Sequence, residues 1–185
     1  LGLDWAAWAS GAEIDHSGTS PGLGRGPVGR AVRFVASLLP RYRVYGGNVS
    51  HPPEVVLAAD SAPPSRCFTL EGHGAVAIRF VQAVRPTHII VEQSPPWATV
   101  HPRAAPRSFS VGPWPEDADS ADGANNSFGS FEYSIDGPPA QLFGLQPAGG
   151  LHAPGVRGVR VVFRGTWGER FLSVCRLRVL GSPVP

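Results

Sequence analysis

Turn-forming residues occur along almost the whole chain, and they constrain its fold more than any other feature. The 185 residues include 23 glycines and 20 prolines, almost a quarter of the sequence, where a typical protein has about 12%. Both residue types interrupt helices, so this composition argues against a helical bundle. Because 42% of the residues are hydrophobic and occur in clustered runs, the chain is nevertheless expected to fold.

Short runs rich in Val, Ile and Phe lie between these turn signals, as is typical of β-strands. The predicted strands cover residues 54–58, 75–81, 88–92, 108–111, 131–135, 141–145, 156–163 and 172–180. Residues 1–15 are predicted to be mildly helical or irregular. Since strands do not alternate with helices, we predict an all-β fold for residues 1–185. It is a single compact antiparallel β-sandwich of the jelly-roll or galactose-binding-like type, with a short N-terminal helical segment.

One segment, residues 30–48, departs from this pattern and reads RAVRFVASLLPRYRVYGGN. Its first half could form a helix with one apolar side, and its second half alternates like a strand after Pro40. A protruding flap of this kind can pair its backbone with a peptide strand, and its exposed apolar side chains need a partner. Its candidate contact residues are Phe34, Val35, Leu38, Leu39, Arg41, Tyr42 and Val44.

Two motifs that are known from enzymes occur in a context that does not suit their chemistry. Residues 18–22 (GTSPG) match the G-x-S-x-G nucleophile pattern, and residues 24–29 (GRGPVG) match G-x-G-x-x-G. The first needs a strand and a helix around the serine, and the second needs a βαβ unit. All 16 basic residues are arginine, which excludes a Schiff-base lysine and a P-loop lysine. We therefore expect no enzymatic activity.

The charge and hydropathy of the chain exclude further classes of function. The net charge is +2 and the arginines are scattered, so nucleic-acid binding is not expected. The longest apolar runs are about five residues, too short to cross a bilayer. The six histidines are isolated and form no pair suited to a metal. Trp97 and Trp114 fall in predicted loops, where they could stack on sugars, so a jelly-roll glycan-binding module stays open as an alternative.

The two cysteines, Cys67 and Cys175, leave two readings open. They are either two buried thiols or a long-range disulfide, which would stabilise the fold by about 4–5 kcal/mol. Two N-x-S triplets, at Asn48 and Asn125, are candidate glycosylation sites and fit a secretory or lumenal setting.

A series of short motifs covers residues 4–182 in a fixed order. They are DWA…SGA at residues 4–12, PEVVL at 53–57, CF…EG at 67–72, VRPT at 84–87, VE at 91–92, APRSF at 105–109, FGSFEY at 128–133, TWG at 166–168 and VCRLRVLG at 174–181. In this order and spacing they resemble the SUN domain. SUN domains are the lumenal ends of the nuclear-envelope SUN proteins, which form the LINC complex.

The resemblance implies a non-enzymatic peptide receptor. SUN domains form homotrimers on an upstream coiled coil and bind the C-terminal tail of KASH proteins in the perinuclear space by strand addition. A β-hairpin lid clamps the tail, and its equivalent is residues 29–47, which coincides with the flap. The resemblance also implies a Cys67–Cys175 disulfide, and a membrane anchor upstream that holds the protein in the inner nuclear membrane.

The resemblance assigns two sites, and the sequence departs from the family at both. The family's pocket for the KASH carboxylate, made of a His, a Ser and two Tyr, aligns with Gln93, Ala104, Ser173 and Leu177. The family's monovalent-cation loop aligns with residues 55–67. There K⁺ or Na⁺ is expected at Val55, Ala58 and Asp60, while Arg66 directly before the cysteine disfavours a cation. A divergent SUN domain that does not bind KASH proteins and acts in assembly is therefore a second alternative.

Overall fold

The computed structural model describes residues 3–23, 50–58, 66–114, 127–146 and 155–184. Within these ranges the chain forms ten strands and four 3₁₀ helices, the latter at Trp8–Ser10, Pro53–Leu57, Pro96–Ala98 and Pro102–Ala104. The strands are β1 (Leu3–Asp4), β2 (Glu13–Ile14), β3 (Phe68–Leu70), β4 (His73–Glu92), β5 (Pro106–Pro113), β6 (Gly129–Glu132), β7 (Ala140–Gly144), β8 (Val156–Thr166), β9 (Leu172–Val174) and β10 (Arg176–Pro183). The predicted all-β class is confirmed, and no helix among the described residues is long and apolar enough to cross a membrane.

The 20-residue strand β4 belongs to both layers of the sandwich. Its first half, residues 73–79, pairs with β8 on one side and β2 on the other. Its second half, residues 84–92, pairs with β10 and β7. The register shifts between Arg79 and Val84, where the strand passes from one layer to the other. All pairings are antiparallel, and they give layers of order β2-β4-β8-β5-β6 and β1-β10-β4-β7.

The core lies between these layers and follows from the two-residue period of the strands. In β8, Val159, Val161 and Phe163 are buried, while the residues between them are partly open. The ring of Phe109 in β5 meets the ring of Phe143 in β7 edge to face, with centroids 5.0 Å apart, so that aromatic packing joins the two layers. Burial of each such side chain stabilises the fold by about 1.5–3 kcal/mol.

Four of the predicted strands differ from the structure. Residues 54–58 were predicted to be a strand, which is wrong: residues 54–57 lie in the 3₁₀ helix Pro53–Leu57 and Ala58 is its C-cap, because Pro53 presets the backbone for a helical first turn. The predicted strands 75–81 and 88–92 are one continuous strand. Pro86, which has no N–H to donate, lies beside a register shift in the β4–β10 pairing that accommodates it. The predicted strand 172–180 is divided at Cys175 into β9 and β10.

The N-terminal residues are attached to the edge of the second layer. β1 pairs with β10, and the indole N–H of Trp5 donates to the carbonyl of Gly181 at 3.2 Å. The Asp4 carboxylate accepts the backbone N–H groups of Ala6 and Val179. Burial raises the pKa of this carboxyl, and the two backbone donors only partly offset that rise. The predicted helical segment is reduced to the single 3₁₀ turn that follows.

Candidate functional site

The disulfide closes one end of a small second sheet made of β3 and β9. These strands pair antiparallel with Phe68 opposite Val174, which places Cys67 and Cys175 side by side just beyond the paired residues. Their sulfurs are bonded at 2.02 Å across a sequence separation of 108. The disulfide is confirmed, and the alternative of two buried thiols is wrong.

The two faces of this small sheet have different surroundings because neighbouring side chains point in opposite directions. Its inner face consists of Phe68, Leu70, Leu172 and Val174, which are all fully buried in the core. Its outer face consists of Cys67, Thr69, Phe171, Ser173 and Cys175, which all line a pocket of about 350 Å³. The sequence pattern of these two short strands therefore builds the core and the floor of the pocket together.

Gln93 lies at the side of this pocket, directly after β4. Its backbone N–H donates to the carbonyl of Pro139 at 2.9 Å, and the same carbonyl accepts the hydroxyl of Tyr133 at 3.0 Å. The side-chain Oε1 of Gln93 lies 3.4 Å from the Cys175 sulfur, and Ser94 Oγ lies 3.5 Å from both sulfurs. The buried Nε2 of Gln93 has no hydrogen-bond partner within the described structure. The amide thus keeps a buried donor whose hydrogen-bonding capacity is unused within the described structure.

Two histidines that sequence reasoning set aside also line the pocket. They are His51, from the segment before the 3₁₀ helix Pro53–Leu57, and His101, from the linker between β4 and β5. Nδ1 of His101 lies 3.3 Å from Oε1 of Glu169, and its ring meets the ring of Phe171 edge to face at 5.0 Å. No spacing signal could have grouped these residues, because three separate loops bring them together.

Two exposed apolar side chains lie in the segment between β4 and β5. Val100 is 88% exposed and lines the pocket with Ala98 and Thr99, whereas Trp97, which is 84% exposed, directly precedes this lining segment. Trp114, the other tryptophan expected to stack on sugars, is instead half-buried under the guanidinium of Arg160, 5.4 Å from its ring centre. Of these two tryptophans only Trp97 is therefore exposed, one residue before the pocket-lining Ala98.

The residues that match the G-x-S-x-G pattern make structural contacts. Ser20 Oγ accepts the backbone N–H of Ala75 at 2.9 Å, and Thr19 Oγ1 accepts that of Ala77 at 3.0 Å. A side chain at Gly18 would collide with the Trp114 ring, 2.4 Å from an added Cβ. These residues extend the edge of β4, and the Ser20 hydroxyl has no base beside it among these contacts.

The structure brings together two of the four positions aligned with the carboxylate pocket. Gln93 and Ser173 both line the pocket beside the disulfide. Ala104 and Leu177 are each only 1% exposed and do not line it, because Ala104 faces inward from a 3₁₀ helix and Leu177 belongs to the core face of β10. The predicted lid residues Phe34, Val35, Leu38, Leu39, Arg41, Tyr42 and Val44, together with Asp60, Asn48 and Asn125, lie outside the described residues.

The predicted cation loop is described only at its two ends, residues 55–58 and 66–67. The carbonyl of Val55 accepts the N–H of Ala58 at 3.1 Å, which occupies one of its two lone pairs. No group of three or more His, Cys, Asp or Glu residues within the described ranges could hold a metal ion. Backbone carbonyls would be the main ligands of K⁺ or Na⁺ here, so the cation stays a prediction of the resemblance.

The strands and the pocket define a jelly-roll domain with a polar, disulfide-floored binding pocket. The family model for the Sad1/UNC-like C-terminal domain matches residues 47–183. The chain therefore belongs to the SUN domain family, as its sequence motifs indicated. No curated protein sequence matches the chain at a significant level.

Solved structures of distant proteins share the fold. A putative chitobiase fragment from Bacteroides thetaiotaomicron has a TM-score of 0.62 and 8% identity, over 100% of this chain and 95% of that one. The family 32 carbohydrate-binding module of Streptococcus pneumoniae EndoD has a TM-score of 0.59 and 11% identity, over 96% and 98%. Allantoicase has a TM-score of 0.55 and 14% identity, over 97% of this chain and 43% of that one. Similarity at these identities supports the architecture alone.

Proposed function

We propose that this domain is a peptide receptor that binds the C-terminal tail of a KASH protein in the perinuclear space. It would act without catalysis, as the lumenal part of a nuclear-envelope LINC complex, in a homotrimer formed on a coiled coil upstream. Membership of the SUN family supports this role. The observation that carries it is the pocket beside the disulfide, where Gln93 and Ser173 both lie at positions aligned with the family's carboxylate site.

The chemistry of the pocket suits a chain end. A buried carboxylate needs hydrogen-bond donors, and donors held in place lose little entropy when they bind it. Gln93 supplies an amide whose Nε2 has no partner within the described structure, and Ser173 supplies a hydroxyl on the rigid floor. The exposed side chains of Trp97 and Val100 offer apolar contact for the residues before the carboxylate. Strand addition on residues 29–47 would hold the remainder of the tail.

The proposal is tested by calorimetry with a synthetic KASH tail peptide that ends either in a free carboxylate or in an amide. We expect the amide, and a version extended by several residues, to bind about 10–100-fold more weakly, because charge-assisted hydrogen bonds contribute about 1.5–3 kcal/mol. Gln93→Ala should weaken binding of the free carboxylate, whereas Gln82→Ala, on the exposed middle of β4, serves as the matched control. Equal affinity for both chain ends would refute the carboxylate site.

Deletion of residues 30–47 tests strand addition separately. We expect tail binding to be lost while the thermal unfolding of the sandwich is retained, because the flap is expected to hold the tail rather than the core. Unchanged affinity would remove the flap from the mechanism. A folded domain that binds no KASH tail at all would favour the divergent SUN domain that acts only in assembly.

A glycan-binding role is the second candidate, and the exposure of Trp97, one residue before the pocket-lining Ala98, favours it. Exposed tryptophan rings at the mouth of a polar pocket are suited to stack on sugar faces. A glycan array and a KASH-peptide titration on the same protein separate the two roles. Trp97→Ala should abolish glycan binding if that role is correct, but should reduce tail binding only in part if the pocket holds a carboxylate.

A further inference from the structure

The pocket contains no permanent positive charge among its described lining residues, although a carboxylate ligand would bring a negative one. Its ionisable side chains there are the imidazoles of His51 and His101. An uncompensated carboxylate is costly to place in a partly enclosed site, and neutral donors such as Gln93 offset only part of that cost. Among the described lining residues, an imidazole that is protonated when the ligand binds is the group that can supply this charge.

We infer that His101 is the carboxylate-binding residue of this pocket, that Glu169 is its positioning residue, and that ligand binding takes up one proton. The inference depends on the proposed function for the class of ligand, the free C-terminus of a peptide. It adds the residue that provides the charge and the pH dependence that follows from it.

The contacts of His101 fix which nitrogen is available. Nδ1 lies 3.3 Å from Glu169 Oε1, so the hydrogen bond assigns the Nδ1–H donor to the carboxylate. Phe171 packs edge to face against the ring, and the backbone N–H of His101 donates to Thr99 Oγ1 at 3.2 Å. These contacts hold the ring from one side and leave Nε2 as the nitrogen for a ligand.

The state of Nε2 decides whether a carboxylate binds. In the neutral ring with Nδ1–H donated to Glu169, Nε2 carries a lone pair that repels a carboxylate oxygen. In the protonated ring, Nε2–H becomes a charge-assisted donor while Nδ1–H remains on Glu169. The imidazolium then lies between two carboxylates, one from the protein and one from the ligand, and each stabilises its positive charge.

Other ionisable groups on the surrounding elements do not replace this switch. Arg103 lies two residues beyond His101, and Arg170 follows Glu169, but both are exposed and neither lines the pocket. His51 is the one other imidazole among the described residues that line the pocket. Separate variants of His51 and His101 therefore show which imidazole takes up the proton when the ligand binds.

The first experiment follows the histidine ring signals by NMR in the intact domain, with N-acetylglycine as the probe, a free carboxylate on a peptide bond. We expect N-acetylglycine to raise the titration midpoint of His101 and to leave that of His88, a histidine outside the pocket, unchanged. Its affinity should fall about tenfold for each pH unit above the imidazole titration, which is the slope for uptake of one proton. Absence of binding at about pH 5.5, or a pH-independent affinity, overturns the inference.

Variants separate charge from structure. His101→Gln keeps a donor but cannot be protonated, so the pH dependence of binding should disappear, whereas His88→Gln should retain it. Glu169→Gln still accepts the Nδ1–H bond but lacks the charge, so the pH dependence should move to lower pH while binding in acid persists. A merely structural role of Glu169 would lower affinity equally at all pH values. Loss of the pH dependence in His51→Gln instead of His101→Gln would overturn the assignment.

The same series distinguishes this inference from the proposed function. If N-acetylglycine binds with the expected pH dependence but KASH tails do not bind, the proposed partner is wrong and the charged pocket stands. If KASH tails bind with an affinity that does not change with pH, the partner stands and the role of His101 is wrong.

Discussion

The inner and outer faces of the β3–β9 sheet share one backbone but differ in the chemistry and the burial of their side chains. The inner face is made of four fully buried apolar side chains, among them Leu172 and Val174. The outer face carries the disulfide, Thr69 and Ser173, which line a pocket of about 350 Å³. Successive residues of a strand alternate between the two faces. Packing of the inner-face side chains in the core therefore also holds the outer-face side chains in position. The difference teaches that stability and binding can be changed separately at adjacent positions.

The largest effect should come from the disulfide, which lies on the outer face and joins the two segments that carry both faces. Replacing both cysteines, as Cys67→Ala with Cys175→Ala, should lower the free energy of unfolding by about 4–5 kcal/mol, since the unfolded chain regains the freedom of a loop of more than a hundred residues. Chemical denaturation of the two proteins measures this difference. A loss below about 1 kcal/mol would mean that the disulfide shapes the pocket but does not stabilise the fold.

Leu172→Ala should affect the inner face only. Removal of a fully buried leucine leaves a cavity, so the free energy of unfolding should fall by about 2–5 kcal/mol. The affinity of the remaining folded protein for a tail peptide should change little, because the side chain points away from the pocket. Urea denaturation and calorimetry on one preparation check both statements. Equal damage to binding would show that the two faces are coupled.

Ser173→Ala is the matched change on the outer face, one residue along the strand. Its hydroxyl lines the pocket, so we expect tail affinity to fall about 3–10-fold, the effect of one hydrogen bond. The free energy of unfolding should stay within about 0.5 kcal/mol of the original. If stability fell and affinity did not, Ser173 would belong to the structure rather than to the site.

The smallest expected effect concerns the support of Gln93 behind the pocket. Burial raises the pKa of Tyr133 to about 12, so its hydroxyl keeps donating to Pro139 where an exposed tyrosine has ionised. The unfolded chain loses this proton near pH 10, so the stability conferred by Tyr133 is present below pH 10 and is lost as the pH rises to about 12. Tyr133→Phe should lower stability by about 0.5–1 kcal/mol at neutral pH and flatten that alkaline decline.

The alkaline comparison needs the variant, because other tyrosines also titrate. The difference in free energy of unfolding between the original protein and Tyr133→Phe, followed by urea denaturation up to high pH, isolates this one hydroxyl. A difference that does not change between neutral pH and pH 11 would contradict the raised pKa.

Much of the fold follows from local sequence. The alternation in β8 and the turn residues between runs gave most strand positions, because a half-buried strand repeats every two residues. Local pattern was wrong where tertiary structure decided the outcome. Residues 54–58 read as a strand, yet Pro53 starts a 3₁₀ turn there. The long strand β4 was divided at residues 82–87, because the register shift that accommodates Pro86 exists only in the paired sheet.

Less of the candidate site could be predicted. Gln93 and Ser173 were identified by alignment with the SUN family. Such an alignment transfers positions, but it does not show which other side chains take over the role of a residue that has changed. His101 and Glu169 are 68 positions apart, and neither has a motif around it. Ala104 and Leu177 were aligned with pocket residues, yet these smaller or apolar side chains are buried in the interior. A pocket assembled from loops depends on contacts that no single segment encodes.

The position of the disulfide has a mechanical consequence. A pull on a ligand in the pocket reaches β3 and β9 first at the end where their sulfurs are joined. Paired strands separate most easily when a load peels their hydrogen bonds apart one at a time from a free end. Here that end is covalently closed, so the load must be shared along the strands and passed into β10, the strand directly after Cys175. A tether held at this point would resist tension with a covalent bond before it relied on any hydrogen bond.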